Sequence, residues 1–287
     1  MSINKAVIPA AGFGTRFLPA TKAVPKEMLA VVDKPMIQYA VEEAAASGMK
    51  SIGIVTRPSK TILKRHFGRD LKLEEFLESK GREGLAAEIE QLSRLAEITF
   101  VEQREPRGLG HAVLMGEAFV RDEPFAVLNP DTIYDCPVPC AKQLADVYEK
   151  TRATVVVLGR IDKAATGKHG VVRAEPVSDR IYRILDLAEK PGPDKAFSDL
   201  AVLGRYIFTP EIFAAIRKTA PGIGGEIQIT DAIRILLESR PVYGVLFEGR
   251  RFDAGDKLGF LEATLHFALK RPEFRDGLRD ILKTMNG

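Results

Sequence analysis

Close to its start the chain reads AVIPAAGFGTRFLPATKAVPKEML, Ala6 to Leu29. Gly12 and Gly14 follow an apolar run, the way a dinucleotide-binding turn of the G-x-G-x-x-G type begins. Phe17 stands where the third glycine would be. That glycine lets a helix start at once and pack against the sheet. Here Pro19 and Pro25 interrupt any helix that begins. The segment is therefore expected to run on as a long loop. Its glycines permit close backbone approach to an anion, and Arg16, Lys22 and Lys26 add positive charge. A polyphosphate suits that combination better than a nicotinamide cofactor does.

Two aspartates stand in distinctive places. Asp131 ends the apolar run FAVLNPD, and a carboxylate at the C-terminal end of a strand points into the crevice where α/β folds bind ligands. Asp253, in RFDAGDK, is far away in sequence. Either alone is more often a turn or cap residue. Glu189 and Lys190, in LAEKPG, are adjacent. Adjacent strand residues point to opposite faces, so both reach one ligand only if the backbone bends, and Pro191 marks such an end. The chain has four histidines and no recognisable catalytic triad.

These residues need a scaffold. In the first half, β-rich runs (KAVIPAAG, SIGIVT, ITFVEQ, FAVLNPD) alternate with helical patterns. In PMIQYAVEEAAASG, Met36, Ile37, Ala40, Val41, Ala44 and Ala45 share one helical face, with Pro35 at its start and Gly48 at its end. Such alternation predicts an α/β fold with a parallel sheet and helices on both faces. Residues 70–96 read as a charged helical insertion. In the second half ATVVVLGRI, GVVRAE, RIYRILDLAEK, LAVLGRYIFT and VYGVLFEG read as strands that need not all be parallel, and the chain is helical from Lys257 onward. The two halves are expected to share one sheet.

The loop string AAGFGTRFLPATKAVPKEML resembles the signature of the sugar-1-phosphate nucleotidyltransferases, and within them the bacterial UTP:glucose-1-phosphate uridylyltransferases. The resemblance continues in order through DKPMIQYAVEEAAASG, GLGHAV, EKP, LGRYIFTPEIF, GGEIQITDAI and FDAGDKLGF, from Lys5 to about Leu269. It implies a Rossmann-like, three-layer α/β/α fold with a mixed, mostly parallel central sheet. One domain would cover residues 1–287, with 1–135 mainly nucleotide-binding, 136–256 mainly sugar-phosphate-binding and 257–287 forming C-terminal helices. The implied substrates are UTP and glucose 1-phosphate, with Mg²⁺ as cofactor.

By the same resemblance, Ala10, Ala11, Gly12, Gly14 and Thr15 contact the nucleotide, Arg16 and Lys26 neutralise the triphosphate, and Glu27 is a further position of the binding loop. Gln103, in VEQREP, matches the uracil-reading glutamine, and an amide can both donate to and accept from a base edge. Gly108 lets the chain pass close to the base, while His111, at a helix start, reads as structural. Asp131 and Asp253 hold the metal. Glu189 takes sugar hydroxyls, Lys190 meets the sugar phosphate, and Gly170 and Gly204 admit the sugar; bulge or turn glycine is the alternative reading for both. Arg16, Lys26, Asp131 and Lys190 form the implied catalytic set, and Lys22 reads as solvated or structural. The sequence departs from the usual pattern at Asn129, where an apolar or small residue is common, at Ala254 in place of Cys, and at Thr132 in place of a second acid. Two other readings stay open: thymidylyl transfer, because uracil and thymine share a hydrogen-bonding edge, and a non-catalytic regulatory protein that binds sugar nucleotides. A nicotinamide oxidoreductase is disfavoured by Phe17.

Bulk properties restrict the partners. The formal net charge is +3, which gives no electrostatic support for a nucleic-acid role. RPSKTILKRHFGRDLK is basic but lacks interleaved aromatics, so it reads as a solvated helix face rather than a nucleic-acid site. The N-terminal apolar stretch is too short for a signal peptide, and no segment has membrane-span length. Cys136 and Cys140 cannot complete a zinc site; they read as reduced cytoplasmic thiols. By analogy a homodimer or homotetramer is expected.

Overall fold

The computed structural model describes residues 2–285. One nine-stranded sheet takes strands from both halves of the chain. Its spatial order is Glu97–Glu102, Ser51–Thr56, Lys5–Pro9, Phe125–Leu128, Leu200–Phe208, Thr154–Arg160, Val242–Leu246, Ile181–Glu189 and Gly170–Pro176. The first four run parallel, as do Thr154–Arg160 and Val242–Leu246. Leu200–Phe208 and Ile181–Glu189 run opposite to their neighbours. Mostly one direction with two reversals is the mixed sheet the sequence implies.

Period-two alternation divides the strand residues between two cores. Ala6, Ile8, Val155 and Val157 face helices Met36–Ala46 and Cys140–Thr151, where Ile37, Ala40, Val41, Ala44 and Leu144 are buried. Val7, Val156 and Leu158 face the opposite layer, with Val113 of Leu109–Met115, Ile212 and Phe213 of Glu211–Lys218, and Ile233 of Ile229–Leu237. Three layers follow. Helix Met36–Ala46 keeps the expected limits, with Pro35 before it and Gly48 at φ +91° beyond it. The charged stretch after residue 70 forms two helices, Leu71–Ser79 and Glu83–Leu92, that pack on each other.

Two features position the chemistry. From Lys5–Pro9 the chain crosses to one side, to Ser51–Thr56 and Glu97–Glu102, then returns to add Phe125–Leu128 on the other side. Such a reversal opens a crevice beyond the C-terminal ends of the strands. A small ribbon, Thr132–Asp135 antiparallel to Arg250–Asp253, then sets Asp253 opposite Thr132, one residue from Asp131. A third apolar cluster, with Val31, Met36, Ile133, Phe252 and Ala263, seats the C-terminal helix Lys257–Lys270 against that ribbon. Phe17 packs edge-on against Phe260 of this helix, ring centroids 5.6 Å apart. The residue that breaks the dinucleotide pattern anchors the loop instead. Among the described residues, no helix is long and apolar enough to cross a membrane. Cys136 and Cys140 are free thiols, and burial pushes Cys136 up to about 12.

Candidate active site

Four parallel strands end at the crevice, and each hands over to a residue of the site: Pro9 to Ala10, Thr56 to the turn that carries Lys60, Glu102 to Gln103, and Leu128 to Asn129. Two cavities lie there, of about 470 and 240 Å³. The smaller is lined by Ala10, Ala11, Gly12, Gln103 and Gly108. The larger is lined by Gly14, Thr15, Arg16, Gly170, Glu189, Lys190, Gly204 and Asp253. Lys26, Asn129 and Asp131 belong to both walls.

The glycine loop is held from beneath. Its short turns at Thr15–Phe17, Ala20–Lys22 and Lys26–Met28 leave it without a long helix, as the prolines predict. Lys60 Nζ donates to Ala10 O at 2.6 Å, Gly12 O at 3.0 Å and Glu27 Oε1 at 2.5 Å. An ammonium has three donors, and all three are spent. Lys60 is 5% exposed and Glu27 is fully buried. Glu27 lines neither cavity; it anchors the lysine that shapes the loop. The basic stretch read as a solvated helix face therefore carries a buried structural cation at the start of its helix. Leu63 and Phe67 bury the inner side of helix Thr61–Phe67. Gly14 needs its missing Cβ: at φ +69°, a Cβ would stand 2.9 Å from Lys26 Cβ.

At the shared wall, Lys26 Nζ lies 2.6 Å from Asp131 Oδ2. Asp131 raises the Lys26 pKa. Burial alone would raise the Asp131 carboxyl, but the Lys26 charge overrides it and the net shift is downward. A Cβ placed on Gly255 would lie 2.8 Å from Asp131 Oδ2 and 3.1 Å from Asp253 Oδ1. The two carboxylates thus converge on one glycine, as the ribbon register requires. Arg251 Nη2 donates to Asp253 Oδ2 at 2.9 Å, and Arg16 Nη1 reaches Gly255 O at 3.4 Å. Among the described residues no group of three or more His, Cys, Asp or Glu side chains gathers as a metal site. Any cation held here would complete its shell with ligand oxygens, a setting that suits Mg²⁺.

At the far wall, Lys190 adopts φ +46°. That backbone turn lets two adjacent residues face the same cavity, and Lys190 Nζ comes within 3.4 Å of Glu189 Oε1. Thr230 Oγ1 donates to Glu189 Oε2 at 2.7 Å, and Gly170 leaves room for that contact, since its Cβ would be 2.9 Å from Thr230 Oγ1. Gly204, at φ +78°, lies in an irregularity of strand Leu200–Phe208 against Asn129. It both bulges the strand and lines the cavity.

Arg205, one residue on, was missed by sequence reasoning. It is 1% exposed. Its Nε and Nη2 contact the Glu43 carboxylate at 2.8–3.1 Å, Nη1 donates to Asn129 O and Gly204 O, and Nη2 donates to Thr132 O. The guanidinium thus clamps the turn that carries Asp131 from both sides. Burial would lower its pKa, but Glu43 more than offsets this and keeps it charged. Glu226, Gln228, Thr230, His169 and Arg251 also line the larger cavity. The first three lie in GGEIQITDAI, which the resemblance includes without assigning roles. Gly108, at φ +98°, lets this segment close on the smaller cavity: its Cβ would be 2.8 Å from Glu226 Cβ and 2.9 Å from Ile227 N.

A sequence model of nucleotidyl transferases matches residues 5–269, across every element that builds this crevice. The chain belongs to the nucleotidyl transferase family. A UTP–glucose-1-phosphate uridylyltransferase of Bacillus subtilis (strain 168) is 48% identical over 96% of this chain and 94% of its own length. A solved UDP-glucose pyrophosphorylase complexed with UDP-glucose superimposes with a TM-score of 0.86, at 40% identity over 94% of this chain and all of that one. A UTP-bound enzyme of the same name from Acinetobacter baumannii gives a TM-score of 0.90 at 36% identity, with 98% of each chain covered. The bacterial uridylyltransferase pattern seen in the sequence is therefore that of its relatives, and this nucleotidyltransferase is an enzyme of their fold.

Proposed function

We propose that this enzyme transfers a uridylyl group from UTP to glucose 1-phosphate, giving UDP-glucose and pyrophosphate. The observation that carries this reading is the pair of adjoining cavities with Lys26 and Asp131 on their common wall. One has the size and backbone lining for a pyrimidine base, and the other has the cations and carboxylates for a phosphorylated sugar. The names of the relatives agree with it.

In the reaction, an oxygen of the sugar phosphate attacks the α-phosphorus of UTP. The bond from that phosphorus to the β-bridging oxygen breaks, and pyrophosphate leaves with the electron pair. A phosphomonoester has a second pKa of about 6, so the nucleophile is already ionised and needs no general base. The obstacle is repulsion between anions, roughly 4 kcal/mol for two unit charges at about 4 Å and an effective dielectric of about 20. The chain answers with alignment and charge. Arg16 and Lys26 face the triphosphate, Lys190 holds the sugar phosphate, and Glu189 takes sugar hydroxyls. Asp131 and Asp253 would hold Mg²⁺, which supplies charge neutralisation at the phosphates.

The test is a matrix of nucleoside triphosphates, dTTP included, against several sugar 1-phosphates with Mg²⁺, scored by pyrophosphate release. UTP with glucose 1-phosphate is expected to give the highest kcat/KM. Release with no pair would overturn the proposal, and dTTP as the best donor would replace uridylyl by thymidylyl transfer.

A further inference from the structure

Gln103 and His111 meet at the edge of the smaller cavity, with Gln103 Nε2 2.6 Å from His111 Nδ1. An amide nitrogen only donates, so Nδ1 is the acceptor and the ring proton sits on Nε2. Burial lowers the His111 pKa and Arg107 acts in the same direction, which keeps the ring neutral and Nδ1 open near neutral pH. Neither partner is free to drift. Gln103 N donates to Thr56 O at 2.9 Å, and the helix bearing His111 is tied at its first turn by Gly110 N to Ile227 O at 2.8 Å. With Nε2 engaged, Oε1 is what Gln103 has left. It makes no hydrogen bond among the described residues, and Gln103 lines the cavity.

An amide that turns about its last torsion presents a donor or an acceptor at nearly the same place. Such a group cannot separate bases that differ only in that sense. Uracil and thymine carry N–H at ring position 3, whereas cytosine carries a bare acceptor there. We propose that His111 is the positioning residue for base selection: by holding Gln103 Nε2, it fixes Oε1 toward the base, so that the pocket takes a pyrimidine with N3–H and rejects cytosine. This rests on the reading of the smaller cavity as the base site. It gives a role to a histidine that sequence alone assigns to structure.

The experiment compares UTP with CTP, by kcat/KM and by equilibrium competition, in the wild type, His111→Leu and His111→Asn. Leu removes the acceptor and frees the amide, whereas Asn keeps an acceptor oxygen close to the place of Nδ1. The preference for UTP should fall by about tenfold or more in His111→Leu, because a site built to pair a donor rejects its absence strongly, and His111→Asn should keep most of it. The ratio is measured on one preparation, so a fraction of misfolded variant cancels. An unchanged ratio in His111→Leu, or equal loss in both variants, would overturn the role of His111 while leaving uridylyl transfer intact. Absence of any UTP binding by the wild type would overturn both.

Discussion

Lys26 Nζ lies 2.6 Å from Asp131 Oδ2 on the wall that both cavities share. In the free protein the two charges neutralise each other. On the proposed reading, Lys26 would pair with a triphosphate and Asp131 would hold the accompanying divalent cation, so that one pair would become two. Asp131→Asn keeps the shape and an acceptor for Lys26 but supplies no charge. Its kcat for pyrophosphate release should fall on the order of 10²-fold or more, the scale of a lost electrostatic contact in the transition state. The pair is partly exposed, so it contributes about 1 kcal/mol to stability. The melting temperature should therefore move by only about 2–4 °C. Wild-type kcat in this variant would remove Asp131 from the reaction.

The same pair has a defined pH window. The Asp131 carboxyl is held below its ordinary value and the Lys26 ammonium above it. A depressed carboxyl contributes stability that is present above its unfolded value, about 3.9, and is lost as pH falls through the folded value. A raised lysine contributes below about 10.4 and loses that contribution as pH rises past it. The stability gap between wild type and Asp131→Asn should thus be flat from about pH 5 to 9 and narrow as pH falls below about 4. Urea titrations of both proteins at pH 7 and pH 3 measure it. A gap no smaller at pH 3 than at pH 7 would assign the effect to packing instead.

Lys60 and Glu27 behave differently because water does not reach them. Removing one partner of a buried pair leaves an uncompensated charge and costs about 3–5 kcal/mol, whereas replacing both is often close to neutral. Lys60→Met should lose stability on that scale and raise KM for UTP, since the carbonyls of Ala10 and Gly12 lose their donor. Adding Glu27→Leu should recover much of the stability but not the KM. Denaturant midpoints and UTP kinetics for the single and double variants separate the two effects. If the double variant is no more stable than the single, Glu27 is not the stranded charge.

These pairs also show what the amino-acid sequence alone makes legible. Asp131 is legible because an acid just past the end of FAVL falls in the crevice beyond the strand ends, and Lys190 because Pro191 follows the end of the strand Ile181–Glu189. The parallel half of the sheet followed from strict alternation of strands and helices. Arg205 carries a signal of its own: a charge inside the otherwise buried run LAVLGRYIF must be paired. Its partner, Glu43, is on a distant helix and cannot be found by spacing. Lys60 was hidden among basic neighbours. Only its place just past the end of Ser51–Thr56 separates it from exposed Lys64. The pairing of Gln103 with His111 depends on where a helix start meets a strand end, which no periodicity encodes.

Lys190 carries the last prediction. Its side chain is 36% exposed and its ammonium is near Glu189 at 3.4 Å, so the protein gains little stability from it. Its backbone at φ +46° instead holds a cation over the cavity at some conformational cost. Such a cation acts when a second anion enters. Lys190→Ala should lower kcat/KM for glucose 1-phosphate on the order of 10²-fold and leave KM for UTP nearly unchanged, because the proposed nucleotide site lies against the opposite wall. Lys190→Arg should restore part of the rate, since charge matters more than shape at a single phosphate contact. Steady-state kinetics with each substrate varied in turn decide this. A rise confined to KM for UTP would place Lys190 on the wrong substrate, and unchanged kinetics would remove it from the site.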